Sequence, residues 1–373
     1  MRVLHVYKKY LPESQGGVEE VIRQICRTTR AHGVGSRVLT LSDDGGERTL
    51  AREEAEVIRY PQDLELASCG VSLSALRHFP QHARQADIVH YHFPWPFADL
   101  MHLLGRVRAP TVVTYHSDIV RQKALERLYR PVMHRFLAQV SSIVATSPNY
   151  FATSEPLSRY AEKVEVIPIG LDEAGYPTPD EAREAELREE LGEGFFLFVG
   201  VLRYYKGLHI LLEAVAGTSL PVVIVGSGPV EGELQRQARA LGLAHVRFLG
   251  EVTHAEKMAL MALARAVVFP SYLRSEAFGV TLAEGAMQGR PLISTEIGTG
   301  TTFVNQDGET GIVVPPADPR RLREAMERLA SEPALAEALG QGARARYEAL
   351  FRGDSMGQSY ADLYRRLSTG AGG

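Results

Sequence analysis

The sequence predicts an α/β protein that folds into two doubly wound domains. A chain of 373 residues is too long for one ordinary core and long enough for two domains of about 150 to 200 residues each. Short apolar runs alternate with amphipathic stretches in both halves, which is the pattern of parallel sheets with helical crossovers. A polar stretch near residues 170–180 indicates the linker between the two.

The first half opens as strand, helix and strand. An apolar run at 3–7 precedes an amphipathic segment at 18–33 and a second apolar run at 37–42. Further strands are predicted at 87–92, 111–116, 142–147 and 164–168, and a long helix at 119–139. The first domain is therefore assigned to residues 1–172.

The second half repeats this alternation after a surface helix that the linker introduces. Strands are predicted at 195–200, 221–226, 246–250, 266–271, 291–295 and 311–315, and helices at 207–216, 230–241, 254–264 and 279–288. Three helical pieces then occupy 318–368. Because the second sheet is complete by residue 315, the last piece, about 351–368, is expected to cross back and pack on the first domain. The second domain is assigned to residues 173–350.

Composition excludes several classes of protein. Lys and Arg number 41 against 45 Asp and Glu, and a net charge of -4 argues against binding nucleic acid through a global basic field. The N-terminal apolar run is too short for a signal peptide, and no stretch reaches the roughly 18 apolar residues that span a bilayer, so a cytoplasmic protein is expected. Cys26 and Cys69 lack a paired spacing, which predicts two buried free thiols.

Two glycines, Gly16 and Gly17, follow the first strand and directly precede the first helix. Glycines in this position let backbone N–H groups approach an anion at a helix N-terminus, where the dipole adds attraction. A tight turn that needs positive φ explains the same pair equally well. Both interpretations stay open on the pair alone.

The corresponding loop of the second domain is FVGVLRYYKG, residues 198–207, in which Arg203 and Lys206 follow a strand. Ligands of doubly wound sheets bind at the carboxyl ends of the strands, so two cations there suit a phosphate group. An exposed basic loop is the alternative. The nearby VGSGP, 225–229, is a poor dinucleotide fingerprint, because Glu231 stands where the third glycine belongs.

The stretch SEAFGVTLAEG, residues 275–285, sets two carboxylates around a predicted helix start. If the helix begins near Gly279, its first N–H groups are free to bind a phosphate. Glu276 precedes the helix, and Glu284 leans back toward the same end because helical side chains tilt toward the N-terminus. Acids repel phosphate, so hydroxyl groups are their expected partners. A solvated helix residue and an acid interacting with the helix dipole are the alternative.

Together these motifs resemble the retaining glycosyltransferases of family 4, also called glycosyl transferases group 1. The resemblance rests on SEAFGVTLAE followed by GRPLIS, and on GEV at 250–252, FPS at 269–271 and KG at 206–207. It implies the GT-B fold, in which two Rossmann-like domains face each other across a cleft. VLRYYKG, RSEAFG and FVNQDG are most similar to bacterial mannosyl- and rhamnosyltransferases that use GDP-linked sugars.

The resemblance assigns a role to each matching residue. It implies that Glu276 holds sugar hydroxyls, Glu284 the ribose hydroxyls and Lys206 the donor phosphates. The backbone of Phe278, Gly279, Val280 and Thr281 would bind phosphate and sugar, Gly16 and Gly17 would close on the donor, Val252 and Lys257 would lie near the base, and His116 would border the reacting sugar. Glu276, His116 and Lys206 are the expected catalytic residues, and His90 and His92 are assigned to the acceptor side.

The sequence departs from the family pattern in two places. Val201 stands where the family has an arginine after the glycine of FVG, so Arg203, two positions on, is expected to substitute for it. Thr302 and Phe303 stand where Pro-Glu is common before the V-x-D-G element. The first departure puts the role of Arg203 in question.

The expected reaction moves a hexose, mannose or rhamnose, from a GDP-sugar to a glycan or polyprenyl-linked acceptor in cell-surface polysaccharide synthesis. No cofactor and no metal are expected, because no D-x-D motif is placed to hold one and Lys206, Arg203 and a helix N-terminus can stabilise the leaving diphosphate. The alternatives are a UDP-sugar-dependent transferase, a nucleotide-sugar epimerase or hydrolase, a dehydrogenase, and a small-ligand binding protein without catalysis.

A basic amphipathic stretch, residues 120–136, holds five cations against one acid. Such a helix can lie on an anionic membrane surface, where a lipid-linked acceptor is found. An ordinary solvated helix face is the alternative. A peripheral position at the inner face of the cell membrane is the expectation that follows from the first interpretation.

Overall fold

The computed structural model describes residues 1–14, 16–43, 49–66, 69–119, 123–178 and 181–370, with the backbone alone for 123–126. The chain divides into two compact units. Unit 1 consists of Met1–Asp172 together with Gly353–Gly373, and unit 2 of Glu173–Arg352. Each unit is built around one large sheet.

The described part of unit 1 forms a sheet of eight strands in the order β10-β9-β8-β7-β1-β2-β4-β3. Every pairing is parallel except that of β3 with β4. The strands are β1 (Arg2–Val6), β2 (Gly35–Ser42), β3 (Thr49–Ala51), β4 (Glu56–Pro61), β7 (Ile88–Phe93), β8 (Thr111–Tyr115), β9 (Ser142–Ala145) and β10 (Val164–Val166); β5 (Leu64–Leu66) and β6 (Cys69–Val71) form a separate hairpin.

Helices lie between most of the parallel strands along the chain, as crossover connections require. They are α1 (Gly17–Arg30), α2 (Leu73–Arg84), α3 (Pro96–Gly105), α4 (Lys123–Gln139), α5 (Pro148–Thr153) and α6 (Glu155–Ser158). Tyr91 of β7 packs on Phe79 of α2 and Phe136 of α4, which places those helices on one face of the sheet. His90, its neighbour in the strand, points to the opposite face, because successive side chains of a strand alternate.

Unit 2 forms a six-stranded parallel sheet, over its described residues, in the order β13-β12-β11-β14-β15-β16. This is the order of a doubly wound nucleotide-binding sheet. The strands are β11 (Phe196–Val199), β12 (Val222–Val225), β13 (Val246–Gly250), β14 (Ala266–Phe269), β15 (Leu292–Thr295) and β16 (Gly311–Val314). The helices are α7 (Glu181–Leu191), α8 (Leu208–Val215), α9 (Glu231–Ala240), α10 (His254–Leu263), α11 (Val280–Met287), α12 (Thr301–Val304), α13 (Pro319–Ser331) and α14 (Pro333–Leu350).

The last helix, α15 (Gly353–Gly370), belongs to unit 1 and packs on α1. The contact is close because Gly357 has no side chain: a Cβ there would stand 2.7 Å from atoms of Thr28. The amide of Gly353 also donates to the carbonyl of Leu171, 2.8 Å away. The predicted return of the C-terminal helix to the first half of the chain is confirmed.

Several elements escaped the sequence analysis. Strand β4 lies inside the sheet beside β2, yet its sequence EVIRYP places a charged Arg59 among apolar residues and lacks a clear strand pattern. Burial of Arg59 is possible because its guanidinium pairs with Glu13 and donates to the hydroxyl of Ser42. Helix α2 carries Pro80 in its interior, which hides its periodicity.

The two cysteines differ in burial. Cys26 of α1 is buried, and that burial raises the pKa of its thiol to about 12. Cys69, the first residue of β6 in the β5–β6 hairpin, is only half-buried. The expectation of a buried thiol is confirmed for Cys26 and is wrong for Cys69. Among the described residues, no helix combines the length and the apolarity that crossing a membrane requires.

Candidate active site

The strand order of unit 2 reverses between β11 and β14, the two central neighbours of its sheet. Crossovers leave such a point in opposite directions and open a crevice at the carboxyl ends of the strands. The loop after β11 carries Lys206, and the loop after β14 carries Glu276 and leads into α11. The topology therefore brings the predicted phosphate and sugar residues to one edge of the sheet.

Lys206 and Glu276 form an ion pair at this edge, in which the Lys206 ammonium donates to Oε2 of the carboxylate. The Lys206 ammonium also lies over the ring of Phe269, 4.6 Å from its centroid. Burial opposes the charged ammonium, but the neighbouring Glu276 carboxylate outweighs it, and the pKa of Lys206 is raised above its ordinary value. The Glu276 carboxylate therefore favours the charged form of Lys206 and holds the ammonium in place.

A second ion pair joins Lys257 of α10 to Glu284 of α11. The Lys257 ammonium lies 2.5 Å from Oε1 of Glu284, and the hydroxyl of Tyr176 donates to the same oxygen over 2.9 Å. The Glu284 side chain is only 3% exposed, so it is not the solvated helix residue of the alternative interpretation. The sequence assigned Lys257 to the base and Glu284 to the ribose; the structure joins the two in one cluster.

In each of these two glutamates, one carboxylate oxygen accepts hydrogen bonds, and the other accepts none from the described residues. Lys206 and Ser271 contact only Oε2 of Glu276, and Tyr176 and Lys257 contact only Oε1 of Glu284. Within the described residues, the second oxygen of each carboxylate has no hydrogen-bond donor. Two acceptors are thus available for hydroxyl groups, which is the chemistry that the sequence assigned to them.

Helix α11 begins one residue later than predicted, at Val280, with Gly279 as its N-cap. Gly279 has φ of 87°, in the left-handed region, and a Cβ there would stand 3.0 Å from Leu282. Over the described residues, no acceptor meets the amides of Gly279, Val280 and Thr281, while the Thr281 hydroxyl ties the helix to the carbonyl of Val199. The helix start is therefore built for glycine and presents free N–H groups.

The remaining residues predicted in unit 2 are not members of the two ion pairs. Arg203 is exposed and lines a cavity of about 150 Å³ with Tyr204 and His209. Val252 precedes Thr253, whose capping box starts α10 and so positions Lys257 one turn later. Phe278 is buried and its ring meets that of Phe351 edge-on, so only its backbone can serve a ligand.

The glycine pair of unit 1 lies at the start of α1, and neither glycine has positive φ. The tight-turn interpretation is therefore wrong. Around Gly17 there is open space, whereas a Cβ on Gly16 would stand 2.4 Å from Oε2 of Glu19. The Glu19 carboxylate, which also accepts from Ser14 over 2.7 Å, already places a negative charge beside this helix start.

His116 directly follows β8, as predicted for a residue at the end of a strand. Its Nε2 lies 3.0 Å from Nδ1 of His92, and Nε2 of His92 lies 3.1 Å from Nδ1 of His5. The three rings stack successively, with centroids 5.3 and 5.4 Å apart. Burial lowers the pKa of both His5 and His116 to about 3, so these rings are neutral at physiological pH.

His90 and His92, which were assigned to the acceptor side, are both buried, and the ring nitrogens of both already hydrogen-bond the protein. His90 hydrogen-bonds Tyr364 of α15 and Thr114 of β8, each over 2.7 Å. Donor atoms of His5, His90 and His92 lie within 4.8 Å of one another, a spacing that could hold a metal ion. Five of their six ring nitrogens, however, already hydrogen-bond the protein.

Three residues of these clusters were missed by the sequence analysis. Tyr176 is the one aromatic residue of the polar stretch 172–183, which was a usable signal. Glu19 follows the glycine pair and was overlooked as an ordinary first-turn acid. His5 alternates with Leu4 and Val6 in a buried strand, and only the pairing of β1 with β7 brings it to the other histidines.

Two family models match the chain, one over each half. The model described as "Glycosyltransferase Family 4" matches residues 15–174, and that described as "Glycosyl transferases group 1" matches residues 180–346. The two matches meet within a few residues of the boundary between the units.

Curated relatives match almost the full length of the chain. It is 56% identical over 351 residues to the D-rhamnosyltransferase WbpZ of Pseudomonas aeruginosa, covering 94% of this chain and 92% of that protein. It is 50% identical over 367 residues to the O-antigen chain mannosyltransferase C of Escherichia coli, covering 98% and 99% of the two chains.

Solved structures share the fold at lower identity. The sucrose-phosphate synthase of Thermosynechococcus elongatus superposes with a TM-score of 0.82 at 22% identity over 99% of both chains. WaaG, a glycosyltransferase involved in lipopolysaccharide biosynthesis, superposes with a TM-score of 0.71 at 20% identity, covering 97% of this chain and 99% of its own.

Proposed function

Because the chain belongs to the glycosyltransferases of Family 4 and group 1, we propose that it transfers mannose or rhamnose from a GDP-sugar to a growing glycan, with retention of anomeric configuration. The observation that carries the proposal is the pair of lysine-bound glutamates at the carboxyl edge of the unit 2 sheet. Each keeps one carboxylate oxygen for a hydroxyl group, beside a helix start with free N–H groups.

The donor is divided among three features of unit 2. We assign its ribose hydroxyls to Oε2 of Glu284 and its sugar hydroxyls to Oε1 of Glu276. The diphosphate is assigned to the amides of Gly279–Thr281, where the partial charge of the helix end favours an anion. Lys206 serves the same diphosphate, which then competes with Glu276 for the ammonium. Both lysines thus offset acids that would otherwise repel phosphate.

Transfer requires that charge developing on the departing diphosphate be stabilised. Lys206 and the α11 amides supply fixed positive charge that needs no reorganisation at the moment of reaction. We propose that no metal ion takes part and that the acceptor attacks on the same face from which the diphosphate leaves. Arg203, the exposed cation of the same loop, adds charge from the solvent side. Addition of EDTA is expected to leave turnover unchanged.

The acceptor is proposed to be a polyprenyl-linked glycan, as suits the O-antigen chemistry named for the Escherichia coli relative. Of the basic stretch 120–136, residues 120–122 and the side chains of 123–126 lie outside the described residues. In the remainder, Arg127 and Arg135 are exposed, and Leu128 is 77% exposed beside them. An exposed leucine among cations suits an anionic lipid surface at the cytoplasmic face of the membrane.

Liposome flotation tests the membrane assignment. The protein is expected to float with vesicles that contain anionic lipid, to float less at high salt, and to lose binding in a Leu128→Glu variant. A Leu350→Glu variant, at an exposed leucine of unit 2, is the matched control and should float like the wild type. Absence of salt-sensitive flotation would overturn the assignment without affecting the proposed donor.

Donor specificity is tested by thermal shift and by product analysis. A ligand that binds only the native state raises the melting temperature. When the ligand concentration is 100 times its Kd, binding stabilises the native state by about 2.7 kcal/mol. GDP-mannose and GDP-rhamnose are expected to raise it more than UDP- or ADP-sugars do. A larger rise in melting temperature with UDP-sugars would show that the donor carries uracil and not the proposed guanine. Rapid nucleotide release without any acceptor would indicate a hydrolase or an epimerase instead.

A further inference from the structure

We propose that His5 and His92 form a buried hydrogen-bonded chain that sets the tautomer of His116, so that His116 presents its Nδ1–H as a donor to an oxygen of a ligand. The inference rests on the proposed function for the identity of that oxygen. The chain itself is a property of unit 1 alone. His5 and His92 act in it as positioning residues.

The sheet topology creates the chain. Neighbouring strands β1, β7 and β8 are parallel, and their registers set His5 opposite His90 and His92 opposite Thr114. Residues two apart in a strand share a face, so His92 lies on the same face as His90, and His116 on the same face as Thr114. One diagonal of this face therefore reads His5, His92, His116.

The residues at the two ends of the histidine chain determine the direction in which its hydrogen bonds run. Each neutral imidazole has one N–H and one bare nitrogen, so both hydrogen bonds must run the same way. If they run toward His116, the Nε2 of His5 is a bare nitrogen; if they run away from it, that atom is a buried N–H. Within the described residues this Nε2 has no partner.

In folded proteins, a buried N–H group without an acceptor is rarer than a buried acceptor without a donor, because the unsatisfied acceptor is better tolerated. The chain therefore runs from His5 Nδ1–H to His92 Nε2, and from His92 Nδ1–H to His116 Nε2. His116 then carries its proton on Nδ1. No acceptor for that N–H is found among the described residues, so it is available to a ligand oxygen.

The surroundings hold the chain in place. His90 stacks on His92 with centroids 4.5 Å apart, and both of its nitrogens are bound, one by Tyr364 and the other by Thr114. Thr114 is in turn bonded to Tyr360 over 2.8 Å. Helix α15 thus seals this face with two tyrosines. Neutral, water-excluded rings of this kind favour a fixed tautomer over proton exchange.

Ring-nitrogen NMR of protein labelled with ¹⁵N-histidine tests the proposal without any substrate. His116, identified by the signal missing in a His116→Ala variant, is expected to show a protonated Nδ1 and a bare Nε2. In a His92→Phe variant an Nε2-protonated form of His116 should appear. A protonated Nε2 in the wild type would overturn the direction of the chain, and so would a stoichiometric metal ion found by elemental analysis.

Turnover tests the consequence for the reaction. His92→Phe and His5→Leu are expected to lower kcat roughly tenfold with little change in donor KM, since the loss of one oriented hydrogen bond is about that factor. His102→Phe removes another buried histidine, one that bonds Tyr91 on the opposite face of the sheet, and should leave kcat unchanged. If His92→Phe folds and keeps wild-type kcat, the positioning role is wrong.

The two proposals can fail separately. If the wild type transfers neither mannose nor rhamnose from a GDP-sugar, the proposed function fails, while the NMR result still decides the tautomer. If transfer occurs but His116 carries its proton on Nε2, the proposed function stands and the chain is wrong.

Discussion

Lys206 and Glu276, seventy residues apart in the chain, meet as an ion pair with side chains only 12% and 11% exposed. Breaking a buried pair by removing one charge leaves the other uncompensated, which costs about 3 to 5 kcal/mol in folded proteins. The pair is therefore both a structural contact of unit 2 and the proposed catalytic centre. Stability and activity can be separated by the choice of substitution.

Replacing Glu276 with glutamine is expected to destabilise unit 2 and to abolish most transfer. Burial then acts on Lys206 without an opposing carboxylate, so the pKa of its ammonium should fall and the free energy of unfolding should drop by about 3 kcal/mol. Urea unfolding and initial transfer rates at saturating donor measure the two effects. Unchanged turnover in this variant would overturn the assignment of Glu276.

A double variant separates the two roles. Lys206→Met combined with Glu276→Gln removes both charges, so most of the lost stability should return while activity stays absent. Glu332→Gln, which breaks an exposed pair with Arg328, is the matched control, and its effect on stability should stay below about 1 kcal/mol.

Replacing Tyr176 with phenylalanine is expected to weaken donor binding more than it weakens the fold. Its hydroxyl donates to Glu284 Oε1 and so orients the carboxylate whose other oxygen is assigned to the ribose. Loss of one hydrogen bond to a charged group is worth about 1.5 to 3 kcal/mol, which predicts a rise in donor Kd of roughly tenfold or more. Isothermal titration with a GDP-sugar measures it.

A matched tyrosine controls for the loss of a buried hydroxyl. Tyr60 bonds His82 over 2.7 Å in unit 1 and has no assigned part in donor binding, so Tyr60→Phe should leave donor Kd unchanged. Equal weakening by both substitutions would show that Tyr176 acts only through general stability.

Replacing Gly279 with alanine is expected to disturb the start of α11. Its φ of 87° strains any residue with a Cβ by about 1 to 2 kcal/mol, and the added carbon would crowd Leu282 and Phe269. The amides proposed to hold the diphosphate should shift, so donor affinity should fall together with stability. Thermal melts with and without GDP detect both changes.

Gly308 supplies the control for backbone strain. It has φ of 73° with open space around it, so Gly308→Ala carries strain without crowding and lies in the turn before β16. It should lower the melting temperature and leave the shift on adding GDP intact. The same loss of GDP response in both variants would argue against a specific role for the α11 start.

Local patterns predicted the fold and the positively charged loop, whereas tertiary pairings lay beyond them. The alternation of apolar runs identified the strands of the second sheet, because parallel strands buried on both faces are continuously apolar. Lys206 and Glu276 were both identified, but their contact depends on β11 and β14 being neighbours, which no local pattern encodes. His5 looked like one more residue of a buried strand for the same reason.

Acidification is expected to destabilise unit 1 through its buried histidines. Burial lowers the pKa of His5 and His116 to about 3, below the ordinary 6.5 of the unfolded chain. Between these values the unfolded state binds more protons, so the stabilisation present above pH 6.5 is lost as pH falls. Each histidine should lower the free energy of unfolding by about 2 kcal/mol between pH 7 and pH 5.

Urea unfolding at several pH values measures this loss. The free energy of unfolding should depend less steeply on pH in His5→Phe than in the wild type. Tyr360→Phe, which removes a buried hydrogen bond but no group titrating in this range, should lower stability equally at each pH; an unchanged slope in His5→Phe would contradict the prediction.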